Sequence, residues 1–227
     1  MFKTLLVSAI ALALSTQAAA TTVMIDDFLT SQVVVVDVAG GGATSSATAA
    51  PANGEIWTTR SYSVEAFGAG IFAGDPAAVV TGGFFGINND SSENSKVDLI
   101  WNIGAVTSLI GATNGALVLN FLNNNPANVV PTTVTFSFGS ETLTANIPAI
   151  PMGSPIFSLA LTNAQLALFA AGTNLTLSFT GGQGYDVVLD NLSISGDPAA
   201  VPLPGSLALL AAGFFGLGLK RKSRIAK

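Results

Sequence analysis

Two acidic residues, Asp27 and Asp190, lie in apolar segments and are candidates for a functional or structural site. Asp190 lies in the segment Asp186–Ser195, where alternation gives it the same face as three apolar residues, Val188, Leu192 and Ile194. Asp27 likewise follows two apolar residues on one face, Val23 and Ile25. A carboxylate on a core face needs a partner, because an unpaired buried charge is strongly destabilising. We expect a Ca²⁺ ion, the guanidinium of Arg60, or backbone N–H groups to fill this role.

Aromatic residues are the second set that could do chemistry. The chain has two tryptophans and two tyrosines, Trp57, Tyr62, Trp101 and Tyr185. If they line one exposed face, Trp57 and Trp101 are the candidates for stacking on sugar rings. Core packing is the alternative, and it is the commoner role of aromatic residues in β-domains.

Composition excludes several kinds of chemistry. The chain has no cysteine and no histidine, so disulfides, thiolate catalysis, zinc fingers and Ser-His-Asp triads are ruled out. Residues 21–200 hold all 13 acidic residues and only two basic ones, Arg60 and Lys96, which gives a formal net charge of −11. Such a domain repels nucleic acid. Glycosidases need two carboxylates at a set separation, and no motif selects a pair here, so we expect no enzymatic activity.

The middle of the chain predicts strands throughout. Short apolar or alternating runs recur between Gly, Asn, Pro and Ser residues. The predicted strands are Thr22–Asp27, Val33–Val38, Ile56–Phe67, Ala78–Phe84, Val97–Ile103, Ala116–Phe121, Thr132–Phe138, Glu141–Ile147, Ile156–Leu161, Leu175–Thr180 and Asp186–Ser195. Asn163–Ala170 is the one predicted helix, with Thr162 or Asn163 as N-cap. Gly40–Pro51 reads as a long loop, and Asn88–Lys96 and Asn123–Asn125 as loop tips. The pattern indicates an all-β sandwich of jelly-roll type with one short helix.

Both ends of the chain have the composition of targeting segments. Lys3, the apolar run Leu5–Leu14 and three small residues, Ala18, Ala19 and Ala20, predict a signal peptide over residues 1–20. Near the other end, residues 205–219 carry no charge, and Val201–Leu219 as a helix would be roughly 28 Å long, close to the thickness of a bilayer core. A buried C-terminal helix is the alternative.

A basic segment, residues 220–227, follows this apolar stretch. Its first cationic residues, which would stop transfer through the membrane, are Lys220, Arg221, Lys222 and Arg224. The excess of Lys and Arg predicts that the C-terminus stays in the cytoplasm while the rest is exported. The sequence therefore predicts a single C-terminal transmembrane helix.

The C-terminal 27 residues resemble a PEP-CTERM sorting domain of Gram-negative bacteria. The resemblance rests on a Pro-x-Pro motif, a glycine-rich apolar stretch and a basic end. The motif is Val201-Pro202-Leu203-Pro204, in which Leu203 replaces the Glu of the family pattern. The resemblance implies export, transient anchoring in the inner membrane, and cleavage near the motif by an exosortase-type protease. It implies nothing about what the exported domain does.

The segment Tyr185–Ile194 resembles the final strand of jelly-roll carbohydrate-binding modules. In those modules an aspartate here often joins a structural Ca²⁺ site with a carboxylate near the first strand. The matching early residue in this chain would be Asp26 or Asp27. The resemblance therefore implies a structural Ca²⁺ ion bound by Asp27 and Asp190.

These observations predict three parts: a signal peptide at 1–20, an exported β-sandwich at 21–197 and a sorting tail at 201–227. We expect an exported, non-enzymatic protein with a structural, adhesive or matrix-associated role at the cell surface. The expected partners are signal peptidase, an exosortase-type protease and the inner membrane. The alternatives are a carbohydrate-binding module for extracellular polysaccharide and a glycoside hydrolase or lyase.

Overall fold

The computed structural model describes residues 20–37, 43–47, 54–67, 77–89, 93–126, 130–149 and 156–199. Residues 20–199 group into one compact unit. The predicted signal peptide and the predicted membrane helix and basic end of the tail lie outside the described residues.

Thirteen strands and one α-helix make up the described elements. The first seven strands are β1 (Thr21–Asp26), β2 (Gln32–Val36), β3 (Ala43–Ala47), β4 (Trp57–Phe67), β5 (Ala77–Thr81), β6 (Phe84–Asn88) and β7 (Asn94–Ile103). A 3₁₀ turn at Thr107–Leu109 precedes β8 (Thr113–Asn125), β9 (Thr132–Phe138), β10 (Glu141–Ile147), β11 (Ile156–Leu161), α1 (Asn163–Ala171), β12 (Thr173–Thr180) and β13 (Asp186–Asp197).

The strands form two antiparallel sheets packed face to face. The first sheet has the order β11-β8-β13-β6-β5-β2, and β1 also pairs with β13. The second sheet has the order β10-β9-β12-β7-β4-β3. Along regular strands such as β7, β9 and β12, alternate residues point into the space between the sheets, where aliphatic and aromatic side chains form one buried core. The predicted all-β sandwich is confirmed.

The predicted helix is confirmed as α1, and its start follows from the sequence. Thr162 is the N-cap, and its hydroxyl accepts a hydrogen bond from the backbone N–H of Gln165. The Gln165 side chain in turn accepts from the backbone N–H of Thr162, which completes a capping box. The Gln165 amide also donates to Glu141 at the start of β10, 3.0 Å away, and so ties the helix to the second sheet.

Three of the predicted segments differ in the structure. The predicted loop Gly40–Pro51 contains β3, which pairs with β4. The predicted strand Ala78–Phe84 is instead the hairpin of β5 and β6, since Gly82 and Gly83 adopt positive φ angles of 60° and 84° that suit a tight turn. Asn123–Asn125 belongs to β8, where the Asn124 side chain is buried and donates to the carbonyl of Pro148.

Two β-bulges change which acidic side chains face the core. The register of β1 against β13 shifts between Met24 and Asp26, so that Ile25 and Asp26 are both buried. The register of β13 shifts between Leu189 and Asn191, so that Leu189 and Leu192 face the core on either side of the shift. Each bulge inserts one residue and reverses the alternation beyond it.

Candidate functional site: a buried carboxylate–arginine cluster and a hydroxyl face

A salt bridge at the centre of the sandwich joins the first strand to the second sheet. Arg60 of β4 donates from Nη1 to both carboxylate oxygens of Asp26, at 2.7 and 2.6 Å. Both side chains are fully buried. This bifurcated contact from one nitrogen supplies the partner that a carboxylate in the core requires. Arg60, one of the three partners predicted for Asp27 or Asp190, pairs instead with Asp26.

Two further donors complete the environment of Asp26. The indole Nε1 of Trp101 donates to Asp26 Oδ2 at 2.6 Å, and the backbone N–H of Phe28 donates to Asp26 Oδ1 at 2.8 Å. Phe28 has a φ of 56°, a left-handed conformation that is uncommon for residues with a side chain. The hydrogen bond from its N–H to Asp26 holds the chain in this conformation as it leaves β1.

The guanidinium of Arg60 has partners on its other nitrogens as well. Its Nε donates to Gln32 Oε1, and its Nη2 donates to the carbonyl of Thr30. The Trp57 ring lies 5.1 Å from the guanidinium carbon and the Phe28 ring 5.7 Å from it. These contacts keep the cation desolvated but compensated, partly through cation–π attraction.

Glu55 and Asp27 stand next to this salt bridge. Glu55 Oε1 accepts from the backbone N–H of Asp27 at 2.8 Å, and one carboxylate oxygen of each of Asp26, Asp27 and Glu55 lies within 4.8 Å of the others. Burial is the main cause that raises the pKa of Glu55 from 4.5 to about 7; the hydrogen bond from the Asp27 N–H opposes this rise, and neighbouring Asp26 contributes to it. We call Asp26, Asp27, Glu55 and Arg60 the carboxylate–arginine cluster.

Asp27 and Asp190 have different hydrogen-bond partners in the structure, which does not confirm the predicted pair. Because of the bulge in β13, Asp190 points away from the core and accepts hydrogen bonds from Asn120 and Asn191, at 3.0 and 2.7 Å. Asp27 accepts instead from the backbone N–H of Leu29, and the buried acid of β1 is Asp26. Sequence reasoning did not identify Glu55 as a site residue. Its position as an isolated acid before the apolar residues Ile56 and Trp57 was the pattern that could have indicated it.

The burial of Trp57 and Trp101 contradicts a sugar-stacking role and confirms the alternative, core packing. Both side chains are fully buried, and so are those of Tyr62 and Tyr185. The indole rings pack against Arg60 or donate to Asp26, inside the sandwich. All four tryptophans and tyrosines of the chain are therefore core residues.

The outer surface of the second sheet has a different character. Every outward side chain of β9, β10 and β12 is a threonine, a serine or an asparagine. We call this surface the hydroxyl face; its members are Thr133, Thr135, Ser137, Thr142, Thr144, Asn146, Asn174, Thr176, Ser178 and Thr180. Alternation predicted the water-facing side of β9 and β12 correctly, but no sequence pattern indicated that these strands are neighbours.

The hydroxyl face forms a regular grid because the three strands pair in register. Its three rows across the strands are Asn146–Thr133–Thr180, Thr144–Thr135–Ser178 and Thr142–Ser137–Thr176. Neighbouring strands lie ~4.8 Å apart, and alternate residues along a strand ~6.7 Å apart. Hydrogen bonds across the strands orient the side chains: the Oγ1 atoms of Thr135 and Thr144 are 3.1 Å apart, and Thr133 Oγ1 donates to Asn146 Oδ1 at 3.0 Å.

Among the described residues of this sheet surface, charged side chains begin at β7, the strand that borders β12. Lys96 of β7 forms a salt bridge of 2.6 Å with Asp98, and Ser178 donates to the same carboxylate. These charges largely compensate each other at the surface, where a salt bridge contributes little to stability. The centre of the hydroxyl face is uncharged, in a domain whose net charge is strongly negative.

A cavity opens at one corner of the hydroxyl face. It has a volume of about 380 Å³ and is lined by Ser137, Phe138, Gly139, Thr173, Asn174 and Thr176. Gly139 has a φ of 58° in the tight turn between β9 and β10, and a Cβ there would lie 3.3 Å from Leu168 of α1. The lining includes hydroxyl and amide groups but no ionisable side chain, so the cavity can bind a polar neutral group.

Comparison with known families finds a match near the C-terminal end of the chain. The family model described as the PEP-CTERM protein-sorting motif matches residues 200–222. The predicted sorting motif is therefore confirmed, and it indicates export and a membrane-anchored sorting signal. Within the described part of residues 20–199, no helix has both the length and the apolar character needed to cross a bilayer.

Comparison with solved structures returns distant β-proteins. A family 11 carbohydrate-binding module from Clostridium thermocellum, in complex with a β-1,3-1,4-mixed-linked tetrasaccharide, has a TM-score of 0.38 and 8% identity over 81% of this chain and 100% of its own. The xylan-binding module CBM15 has a TM-score of 0.37 and 10% identity over 74% and 99%. The Stig cyclase Fisc from Fischerella sp. TAU has a TM-score of 0.35 and 15% identity over 79% and 100%. No curated protein matches the chain.

Proposed function

We propose that this chain is an exported, surface-sorted protein with a non-enzymatic adhesive or matrix-associated role. The observation that carries the proposal is the PEP-CTERM motif at residues 200–222. After export, the C-terminal segment anchors the β-sandwich in the inner membrane with the domain in the periplasm. Signal peptidase acts near residue 20, an exosortase-type protease acts near Val201–Pro204, and the domain reaches the cell surface or the extracellular matrix.

The chemistry of the described side chains supports a role without catalysis. Of the acidic groups in the carboxylate–arginine cluster, Asp26 is fully buried and bound by Arg60 and Trp101. The cavity on the hydroxyl face is lined by neutral residues. A polysaccharide hydrolase needs a general acid that reaches its substrate, and the side chains that line the cavity include none.

The experiment that tests sorting is the intact mass of the protein from its native host. We expect a mature species that begins near Thr21 and ends near Val201–Pro204, located outside the inner membrane. Replacing Pro202 and Pro204 with alanine should leave the uncut protein in the inner membrane. A full-length product that stays in the membrane in both cases would mean that the tail is only an anchor.

Carbohydrate binding is the second candidate function. The observation that favours it is the ordered hydroxyl face with its neutral cavity, because hydroxyl and amide groups hydrogen-bond both to donors and to acceptors of a sugar. A glycan array with the full chain tests it. Binding to neutral glycans would support this candidate, and turnover of a bound glycan would contradict the absence of catalysis.

A structural Ca²⁺ ion remains a prediction, and the residues now proposed to bind it are Asp26, Asp27 and Glu55. Asp26, Asp27 and Glu55 offer only carboxylate oxygens, the ligands that Ca²⁺ prefers, and three carboxylates exceed the single charge of Arg60. These residues therefore fit a hard divalent cation. We expect a higher melting temperature in Ca²⁺ than in EDTA, with the difference abolished in Glu55→Gln. Identical melting curves in Ca²⁺ and in EDTA would contradict the prediction that the domain binds this ion.

A further inference from the structure

The hydroxyl face differs from ordinary polar sheet surfaces in its composition. Exposed strands usually mix hydroxyl residues with lysine, glutamate and arginine, which keep a protein soluble. Here three adjacent strands present only Thr, Ser and Asn, in rows that continue from strand to strand. Residues 21–200 contain 13 acidic residues, yet none of them points outward from these three strands.

The charge pattern indicates what such a surface contacts. A cationic partner would be drawn to the acidic parts of the domain, and an anionic partner would be repelled by the domain as a whole. A second copy of the chain is disfavoured on the same ground, since each copy has a formal net charge of −11 over residues 21–200. A neutral partner rich in hydroxyl groups fits both the absence of charge and the mixed donor and acceptor character of the face.

The burial of the tryptophan and tyrosine side chains indicates how a partner would be bound. With both tryptophans and both tyrosines in the core, no indole or phenol ring can stack on a sugar. Binding therefore depends on hydrogen bonds that compete with water, and each of these contributes little alone. Such contacts become strong only when many form together on a surface that is already ordered.

We propose that the hydroxyl face is a contact surface for neutral polysaccharide whose chains lie side by side, rather than for a single dissolved chain. The inference rests on the proposed role at the cell surface and names the ligand class for it. The side-chain hydrogen bonds between Thr135 and Thr144 and between Thr133 and Asn146 fix the grid before the ligand arrives, which lowers the entropy lost on binding. The neutral cavity at Ser137 and Thr176 accepts a group that projects from the polymer surface.

The test compares two triple variants of the full chain, purified in detergent. The face variant carries Thr135→Val, Thr144→Val and Thr176→Val, which replace hydroxyls by methyls and keep the β-branched shape. The control variant carries Thr22→Val, Thr81→Val and Thr113→Val, three exposed threonines of the first sheet. Equal melting temperatures and near-ultraviolet circular dichroism spectra establish that both variants are folded.

The probes are insoluble cellulose and curdlan, soluble hydroxyethyl cellulose, and anionic alginate. We expect the unmodified chain to sediment with an insoluble neutral polymer and to bind the soluble polymers much more weakly. The face variant should lose binding by about tenfold, because hydrogen bonds made together are lost together, while the control variant stays within about twofold.

Several results would overturn the inference. If the face variant binds the insoluble polymers as well as the control variant does, the hydroxyl face is not the contact surface. If the soluble chain binds equally well, or alginate binds best, the ligand class is wrong although carbohydrate binding survives. If no polymer binds and the face variant instead disrupts a dimer, the face is an interface between copies. Correct sorting and cell-surface retention, measured separately, would still support the proposed function in each of these cases.

Discussion

The carboxylate–arginine cluster and the hydroxyl face are both polar, but the cluster is buried in the core and the face is exposed to water. Their polar groups therefore differ in how much they depend on a partner within the protein. The cluster places full charges in the core, where Asp26 and Arg60 are completely buried and bound on several sides. The hydroxyl face places neutral groups in water, where Thr144 and Asn146 are exposed. In the core each polar group must be paired, whereas on the surface water replaces any partner that is lost.

The two environments determine which of the two regions can be adapted for contact. A change within the cluster leaves a buried group without a partner, so the cluster is constrained by stability. A change on the hydroxyl face alters what the surface can bind at little cost to the fold. We therefore assign the cluster to the architecture of the domain and the hydroxyl face to its contacts.

The largest effect is expected for Arg60→Met. The substitution removes the cation and leaves the Asp26 carboxylate buried, so the free energy of unfolding should fall by about 3–5 kcal/mol. Urea denaturation measures it. The double variant Asp26→Asn/Arg60→Met keeps an acceptor for Trp101 and Phe28 without a charge, and it should be clearly more stable than Arg60→Met alone. Equal stability of the two would show that the unpaired charge is not the cause.

The two tryptophans give a matched pair for the hydrogen bond to Asp26. Trp101 Nε1 donates to that carboxylate at 2.6 Å, whereas the buried Nε1 of Trp57 has no hydrogen-bond partner among the described residues. Trp101→Phe and Trp57→Phe remove similar volumes and Phe keeps a ring beside Arg60, so their difference reports mainly on one hydrogen bond to a charged group. We expect Trp101→Phe to lower the free energy of unfolding by about 1.5–3 kcal/mol more than Trp57→Phe does. A smaller loss in Trp101→Phe would contradict the assigned role.

The pH dependence of stability reports on the acidic side of the cluster. Burial raises the pKa of Glu55 to about 7 in the folded protein, so the folded state binds the proton more tightly than the unfolded state. This stabilisation is complete below the ordinary pKa of 4.5 and is lost as the pH rises through about 7. With EDTA present, the unfolding free energy should fall by about 2 kcal/mol between pH 5 and pH 8.

Glu55→Gln is the control for this titration, because glutamine stays neutral at both pH values. The decrease between pH 5 and pH 8 should be clearly smaller in this variant. Asp186, whose pKa is also raised by burial, contributes a decrease of the same sign that the variant retains. If Glu55→Gln shows the same pH dependence as the unmodified chain, the titrating group lies elsewhere.

Regular strands were predictable from the sequence, and the two bulges were not. The bounds of β9, β10 and β11 follow from local alternation and turn residues, and the structure has them as expected. Alternation fails at Met24–Asp26 and at Leu189–Asn191, because an inserted residue reverses the faces and depends on the pairing partner. This reversal made Asp190 a surface residue and Asp26 the buried acid.

The composition of the hydroxyl face was visible in the sequence, but its continuity was not. Thr133, Thr135 and Ser137 alternate with apolar residues, which is enough to predict a water-facing side for β9. The neighbours of β9 are β10, the next strand along the chain, and β12, which follows a helix and another strand. A single sequence carries little information on such distant pairing, so the grid emerges only in the fold.

The smallest effect on stability is expected at the centre of the hydroxyl face. Thr135→Val and Thr144→Val each remove one hydroxyl of a pair whose oxygen atoms lie 3.1 Å apart, while water remains available to the other hydroxyl. Valine also suits a strand as well as threonine does. Each variant should change the free energy of unfolding by no more than about 0.5 kcal/mol. A loss comparable to that of Trp101→Phe would mean that these hydroxyls support the fold, and the contrast between a structural cluster and a surface free to bind would no longer hold.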